Sequence, residues 1–153
     1  MSRWSRKLHL DDLDHLDDLD YLRLTGYRIP MPETLTRVMF IEDEVTLRKS
    51  YERFFADRYS MEFAASGAEA VEKVGPFAPE VVVLDLRLPD TDGIEVMRQV
   101  REIDPQVPVI ITTAYVSMGP LVSMLALGRT SFMTKPFDLN DLAQKIDEAS
   151  NLP

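Results

Sequence analysis

From Arg37 onward, short apolar runs alternate five times with segments of helical periodicity, a pattern that few folds can accommodate. The first run is Val38-Met39-Phe40-Ile41, and it ends on Glu42, Asp43 and Glu44. The second is Tyr59 to Ala64, and the third, Val81-Val82-Val83-Leu84, ends on Asp85. Four apolar residues together, three of them β-branched, read as a strand buried on both faces. Val107 to Thr112 is the fourth run, with Pro108 near its start, where a missing donor is tolerated. Ser131 to Thr134 is the fifth. Between them, Glu44 to Asp57 places Leu47, Tyr51, Phe54 and Phe55 at helical spacing. Ser66 caps a second helix over Ala68 to Val74, with Glu69 at the capping-box position and Gly75-Pro76 as the expected stop. Asp92-Gly93 opens a third through about Ile103, with Ile94, Val96, Met97 and Val100 inward. A helix from about Pro120 to Leu127 stops at Gly128, and Asp138 caps a last one reaching Ala149, with Leu142 and Ile146 inward. This alternation predicts an α/β fold: a doubly wound, five-stranded parallel sheet with helices on both faces.

The length of 153 residues suits one domain. A formal net charge of -9 argues against direct nucleic-acid binding, which needs clustered Lys and Arg. With no cysteine, disulfides and thiolate metal sites are excluded. No apolar run is long enough to span a bilayer, and the basic start is followed by no apolar core of a secretory signal. A cytoplasmic location is the expectation.

Residues 1–36 differ from the rest. His9 to Asp14 reads His-Leu-Asp-Asp-Leu-Asp, and His15 to Asp20 repeats it. Leu10, Leu13, Leu16, Leu19 and Leu22 recur every three residues, so on a helix they drift around the axis. A weak acidic helix and a disordered tract both fit, as does a low-complexity solvated extension; His9 and His15 among the aspartates also admit a metal-binding tract. Gly26, Pro30 and Pro32 mark a linker, and Met31 offers an alternative start. The expected division is an acidic extension over 1–36 and a folded domain over 37–153.

In a sheet of this type the chain reverses direction at the first and third strands, whose carboxyl ends carry Glu42-Asp43 and Asp85. Three anions so gathered repel, and a hard divalent cation with oxygen ligands relieves the repulsion; Mg²⁺ or Mn²⁺ suits. The fourth strand adds the hydroxyl of Thr113, and the fifth the ammonium of Lys135. Acids, a cation site, a hydroxyl donor and a lysine around one pocket suit a phosphoryl group. Asp85 is the candidate nucleophile, because a carboxylate can take a phosphoryl group to form an acyl phosphate.

Residues 37–150 resemble the receiver domain of two-component response regulators. The resemblance rests on Glu42-Asp43, on Leu84-Asp85-Leu86-Arg87-Leu88-Pro89 with Asp92-Gly93, on Thr113-Ala114 and on Lys135-Pro136-Phe137. It implies the flavodoxin-like strand order 2-1-3-4-5. It also implies that Asp85 accepts a phosphoryl group from a sensor histidine kinase or a histidine phosphotransfer protein. Asp43, Glu42, Asp85 and the backbone carbonyl of Arg87 would hold the metal, Lys135 and Thr113 would engage the phosphoryl oxygens, and Phe132 would be the aromatic switch residue. The chain is then no enzyme beyond its own phosphorylation and dephosphorylation. Arg87 and Tyr115 would shield the acyl phosphate, which predicts slow self-hydrolysis.

Met118 to Gly128 carries no charge, although only one face of a helix there can be buried on a sheet. Met118, Leu121, Met124 and Leu127 are the interface candidates, for a homodimer through the fourth helix and fifth strand or for a downstream protein. Arg129 stands where the family often has Ala. Other readings are a receiver fold acting as a phosphorylation-independent interaction module, an aspartate-nucleophile phosphatase and a flavodoxin-like redox protein. The phosphatase would need an acid where Arg87 stands, and Glu42-Asp43-Glu44 would repel the flavodoxin's phosphate. With nothing after Pro153 to act as a DNA-binding output domain, output is expected through protein contact, onward phosphotransfer or the N-terminal extension.

Overall fold

The computed structural model describes residues 34–114, 126 and 128–151. The N-terminal extension up to residue 33, Tyr115, and Met118, Leu121, Met124 and Leu127 of the expected fourth helix lie outside these residues. Five strands, β1 (Thr36–Ile41), β2 (Tyr59–Ala64), β3 (Val81–Asp85), β4 (Val109–Thr113) and β5 (Thr130–Thr134), form one sheet. All four pairings are parallel, and the order is β2-β1-β3-β4-β5. The described helices are α1 (Val45–Phe55), α2 (Gly67–Phe77), α3 (Gly93–Ile103) and α4 (Leu139–Ser150).

Alternation along the strands divides the core into two layers, because successive side chains point to opposite faces. Met39, Ile41, Val82, Leu84, Val109 and Ile111 pack on one face against Ala70 and Val74 of α2 and Val96, Met97 and Val100 of α3. Val38, Phe40, Val81, Val83 and Ile110 pack on the other against Tyr51 and Phe55 of α1 and Leu142, Ala143 and Ile146 of α4. Phe40 stacks on Tyr51 with ring centroids 4.7 Å apart, and on Phe55 at 5.7 Å. The Tyr59 hydroxyl donates to Asp147 Oδ1 at 2.6 Å, and Arg58 pairs with the same carboxylate, tying β2 to α4. Phe54, grouped by spacing with the inward residues of α1, is exposed and meets Phe55 edge-on.

Several boundaries depart from the sequence reading. β1 starts at Thr36 rather than Val38, because Thr36 and Arg37 already pair with Tyr59 and Ser60 of β2; on the other side Arg37 donates to Glu80 Oε2 at 2.9 Å and accepts from its N–H at 2.8 Å. β4 starts at Val109 rather than Val107: Pro108 lends only its carbonyl, to Val82 N–H at 2.9 Å. α2 does not stop at Gly75-Pro76 but runs to Phe77. A proline in the last turn forfeits one bond there, and termination falls to Ala78, in the left-handed region at φ 50°, whose N–H still reaches Val74 O. Pro79 then disfavours any return to the helical region at Ala78.

The caps match their sequence signals. Ser66 accepts from Glu69 N–H at 3.2 Å, and Glu69 Oε2 accepts from Ala65 N–H at 3.0 Å, a reciprocal pair displaced one residue from the usual box. Asp92 caps α3 and Asp138 caps α4.

Candidate functional site

Parallel strands place all their carboxyl ends on one edge, and the chemically distinctive side chains sit there. Glu42 prolongs β1 by one ladder bond, its N–H donating to Ala64 O at 2.9 Å, and its side chain is buried. Asp43, next in sequence, is exposed. The turn carrying both is held from α1: Arg48 Nη1 donates to the backbone carbonyls of Glu42 and Asp43, each at 2.8 Å. Sequence reasoning missed this role, since an arginine aimed at main-chain carbonyls leaves no motif.

Asp85 ends β3 and is 6% exposed. One of its carboxylate oxygens, Oδ1, accepts from Arg87 N–H at 3.0 Å; the other, Oδ2, lies 2.9 Å from Lys135 Nζ. The same ammonium lies 3.0 Å from Glu42 Oε2. Lys135 is placed by the sheet: its N–H donates to Thr113 O at 2.8 Å, which sets the end of β5 beside the end of β4. Thr113 is itself buried. Phe132 on β5 is 37% exposed, and Arg87 is exposed.

Burial dominates the electrostatics. Desolvation, reinforced by the hydrogen bond and negative charge of Asp85, pushes Glu42 up to about 7 despite the opposing bond from Lys135. For Lys135, burial acts to lower the pKa, but its bonds to Asp85 and Glu42 outweigh that and raise it. One oxygen from each of Glu42, Asp43 and Asp85 lies within 4.8 Å of the others. Three such hard donors, one of them open to solvent, fit a divalent cation of the Mg²⁺ class.

A family model described as "Response regulator receiver domain" matches residues 38–147. The chain belongs to that family. Among curated relatives of this receiver domain, the transcriptional regulatory protein TrcR of Mycobacterium tuberculosis is 37% identical over 111 residues, 72% of this chain and 43% of TrcR. Response regulator MprA of Mycobacterium leprae is 35% identical over 111 residues, 72% of this chain and 49% of that protein. The chain thus spans about half the length of the curated relatives it matches. Among solved structures, a CheY-like receiver domain protein from Methanospirillum hungatei JF-1 aligns with a TM-score of 0.73 at 26% identity, over 76% of this chain and 94% of that one. The non-phosphorylated HemR receiver domain of Leptospira biflexa aligns at 0.70 and 29%, over 77% and 96%. Among the described residues, no helix is long and apolar enough to cross a membrane.

Proposed function

We propose that this receiver domain is a phosphorylation switch whose phosphoacceptor is Asp85. The observation that carries the reading is the convergence on one ammonium: Lys135 Nζ bridges Asp85 Oδ2 and Glu42 Oε2 at 2.9 and 3.0 Å. An oxygen of the Asp85 carboxylate attacks the phosphorus of a phosphohistidine on a sensor histidine kinase or histidine phosphotransfer protein. The P–N bond breaks, and its electron pair leaves with the imidazole nitrogen, which takes a proton from solvent. Glu42, Asp43 and Asp85, with the Arg87 carbonyl, are the residues that would hold Mg²⁺ or Mn²⁺. When bound, that ion would neutralise the carboxylates and the phosphoryl oxygens.

Phosphorylation adds about 1.5–2 negative charges and new acceptor oxygens. Lys135 exchanges its bond to Glu42 for one to a phosphoryl oxygen, and the Thr113 hydroxyl bonds another. Phe132, partly exposed on β5, turns inward and changes the outer surface of that strand. The altered surface, with the uncharged stretch over 118–128, is read by a downstream protein or a second copy of the chain. Onward phosphotransfer to a histidine is the other output.

Radiolabelled acetyl phosphate with Mg²⁺ tests the assignment without a kinase. The native protein is expected to gain label, whereas Asp85→Asn keeps its circular dichroism spectrum and gains none. Label on the Asn variant would overturn the choice of residue.

A further inference from the structure

Asp90 lies beyond the acid cluster, exposed on the loop from β3 to α3, yet its carboxylate fastens that loop to another helix. Oδ1 accepts from Gly67 N–H at 2.8 Å and Oδ2 from Ala68 N–H at 3.0 Å. These are the first two amides of α2, which have no partner inside the helix. The two bonds lower the pKa of Asp90, as expected for an anion at a helix N-terminus. Ser66 already caps α2 in the ordinary way. A second cap, from a residue more than twenty positions away, also ties the loop to the helix.

The loop is restrained at each of its contacts. A Cβ at Gly67 would stand 2.4 Å from Thr91 Cγ2, so the loop lies against the start of α2 closer than any side chain allows. Gly93 N–H donates to Leu86 O at 3.2 Å, and Arg87 bridges to Asp92, closing the loop on itself. At its beginning, Arg87 N–H holds Asp85 Oδ1 at 3.0 Å, while Oδ2 faces Lys135. The chain of contacts thus runs from the α2 amides through Asp90 and the loop backbone to one oxygen of Asp85.

We propose that Asp90 is a positioning residue for Asp85: by fastening the loop to α2 it fixes the Arg87 N–H that orients the carboxylate. This rests on the reading of Asp85 as phosphoacceptor. The test compares the native chain with Asp90→Ala and Asp90→Asn, well below their melting temperatures. Initial label uptake from acetyl phosphate with Mg²⁺ is read beside hydrogen exchange at the Arg87 amide. Asp90→Ala is expected to slow uptake about tenfold or more, in keeping with the sensitivity of such reactions to small misplacements, and to speed Arg87 exchange. Asp90→Asn keeps one carbonyl acceptor and is expected to fall between the two; it serves as the variant if the alanine protein does not fold. Unchanged uptake and unchanged Arg87 protection, even with a lowered melting temperature, would reduce Asp90 to a helix cap and overturn the proposal. Native protein that takes no label overturns the receiver reading and this inference together, whereas native uptake with unaffected variants overturns this inference alone.

Discussion

Glu42 is a buried carboxyl group whose surroundings oppose its charge. Its pKa, about 7 in the fold against 4.5 ordinarily, means that the folded state binds more protons than the unfolded chain between those values. The Glu42 contribution to stability is therefore complete below about 4.5 and is lost as pH rises through about 7. In chelator, the melting temperature should fall from pH 5 to pH 8 more steeply in the native protein than in Glu42→Gln, and parallel slopes would contradict this. A cation that takes the carboxylate must displace its proton, so Mg²⁺ affinity should rise over the same window and Mg²⁺ should restore the melting temperature at pH 8. A second buried polar group lies in the core. The Tyr51 hydroxyl is buried with no hydrogen-bond partner among the described residues. Tyr51→Phe removes that hydroxyl and should stabilise by about 1 kcal/mol in urea unfolding, while a loss would reveal a partner. The acids, Thr113 and Lys135 were legible in sequence because each follows an apolar run at a strand end. Arg48 and Asp90 were not, because their partners are backbone groups that no spacing rule picks out.

At the scale of elements, two glycines admit close approach beside the strand-end edge. A Cβ at Gly93 would meet Leu86 Cα at 2.7 Å, and one at Gly67 would meet the methyls of Thr91 and Val96 at 2.4 and 2.6 Å. Backbone yields less readily than a methyl group. Gly93→Ala should therefore cost about 2 kcal/mol in denaturant unfolding, and Gly67→Ala less. Equal losses would mean that the Leu86 backbone gives way. The elements themselves were readable from periodicity, since the buried stretches of β1, β3 and β4 are the apolar runs. Their ends were less so. Thr36 and Arg37 extend β1 through backbone pairing at a polar rim, where hydropathy carries no signal. The end of α2 depends on Ala78 adopting a positive φ, a conformation its residue type does not announce.

The described receiver domain joins a two-layered core to the edge that carries the acids, Thr113 and Lys135. Both layers meet at β1, β3 and β4, so a charge change at Asp85 would act where the packing of α1 and α4 and that of α2 and α3 share a sheet. If the uncharged stretch over 118–128 serves a homodimer rather than a downstream protein, the phosphorylated form should self-associate. Light scattering with and without an acyl-phosphate mimic should show a larger mass with the mimic, and a strict monomer in both would contradict dimerisation. The proposed switch depends on an acyl phosphate forming at one carboxylate. Borohydride reduction converts an aspartyl phosphate to homoserine, so peptide mass spectrometry after treatment with acetyl phosphate and Mg²⁺ locates the reaction directly. Homoserine at position 85, and at no other aspartate, is the predicted result; an unmodified Asp85, or homoserine elsewhere, would contradict the account.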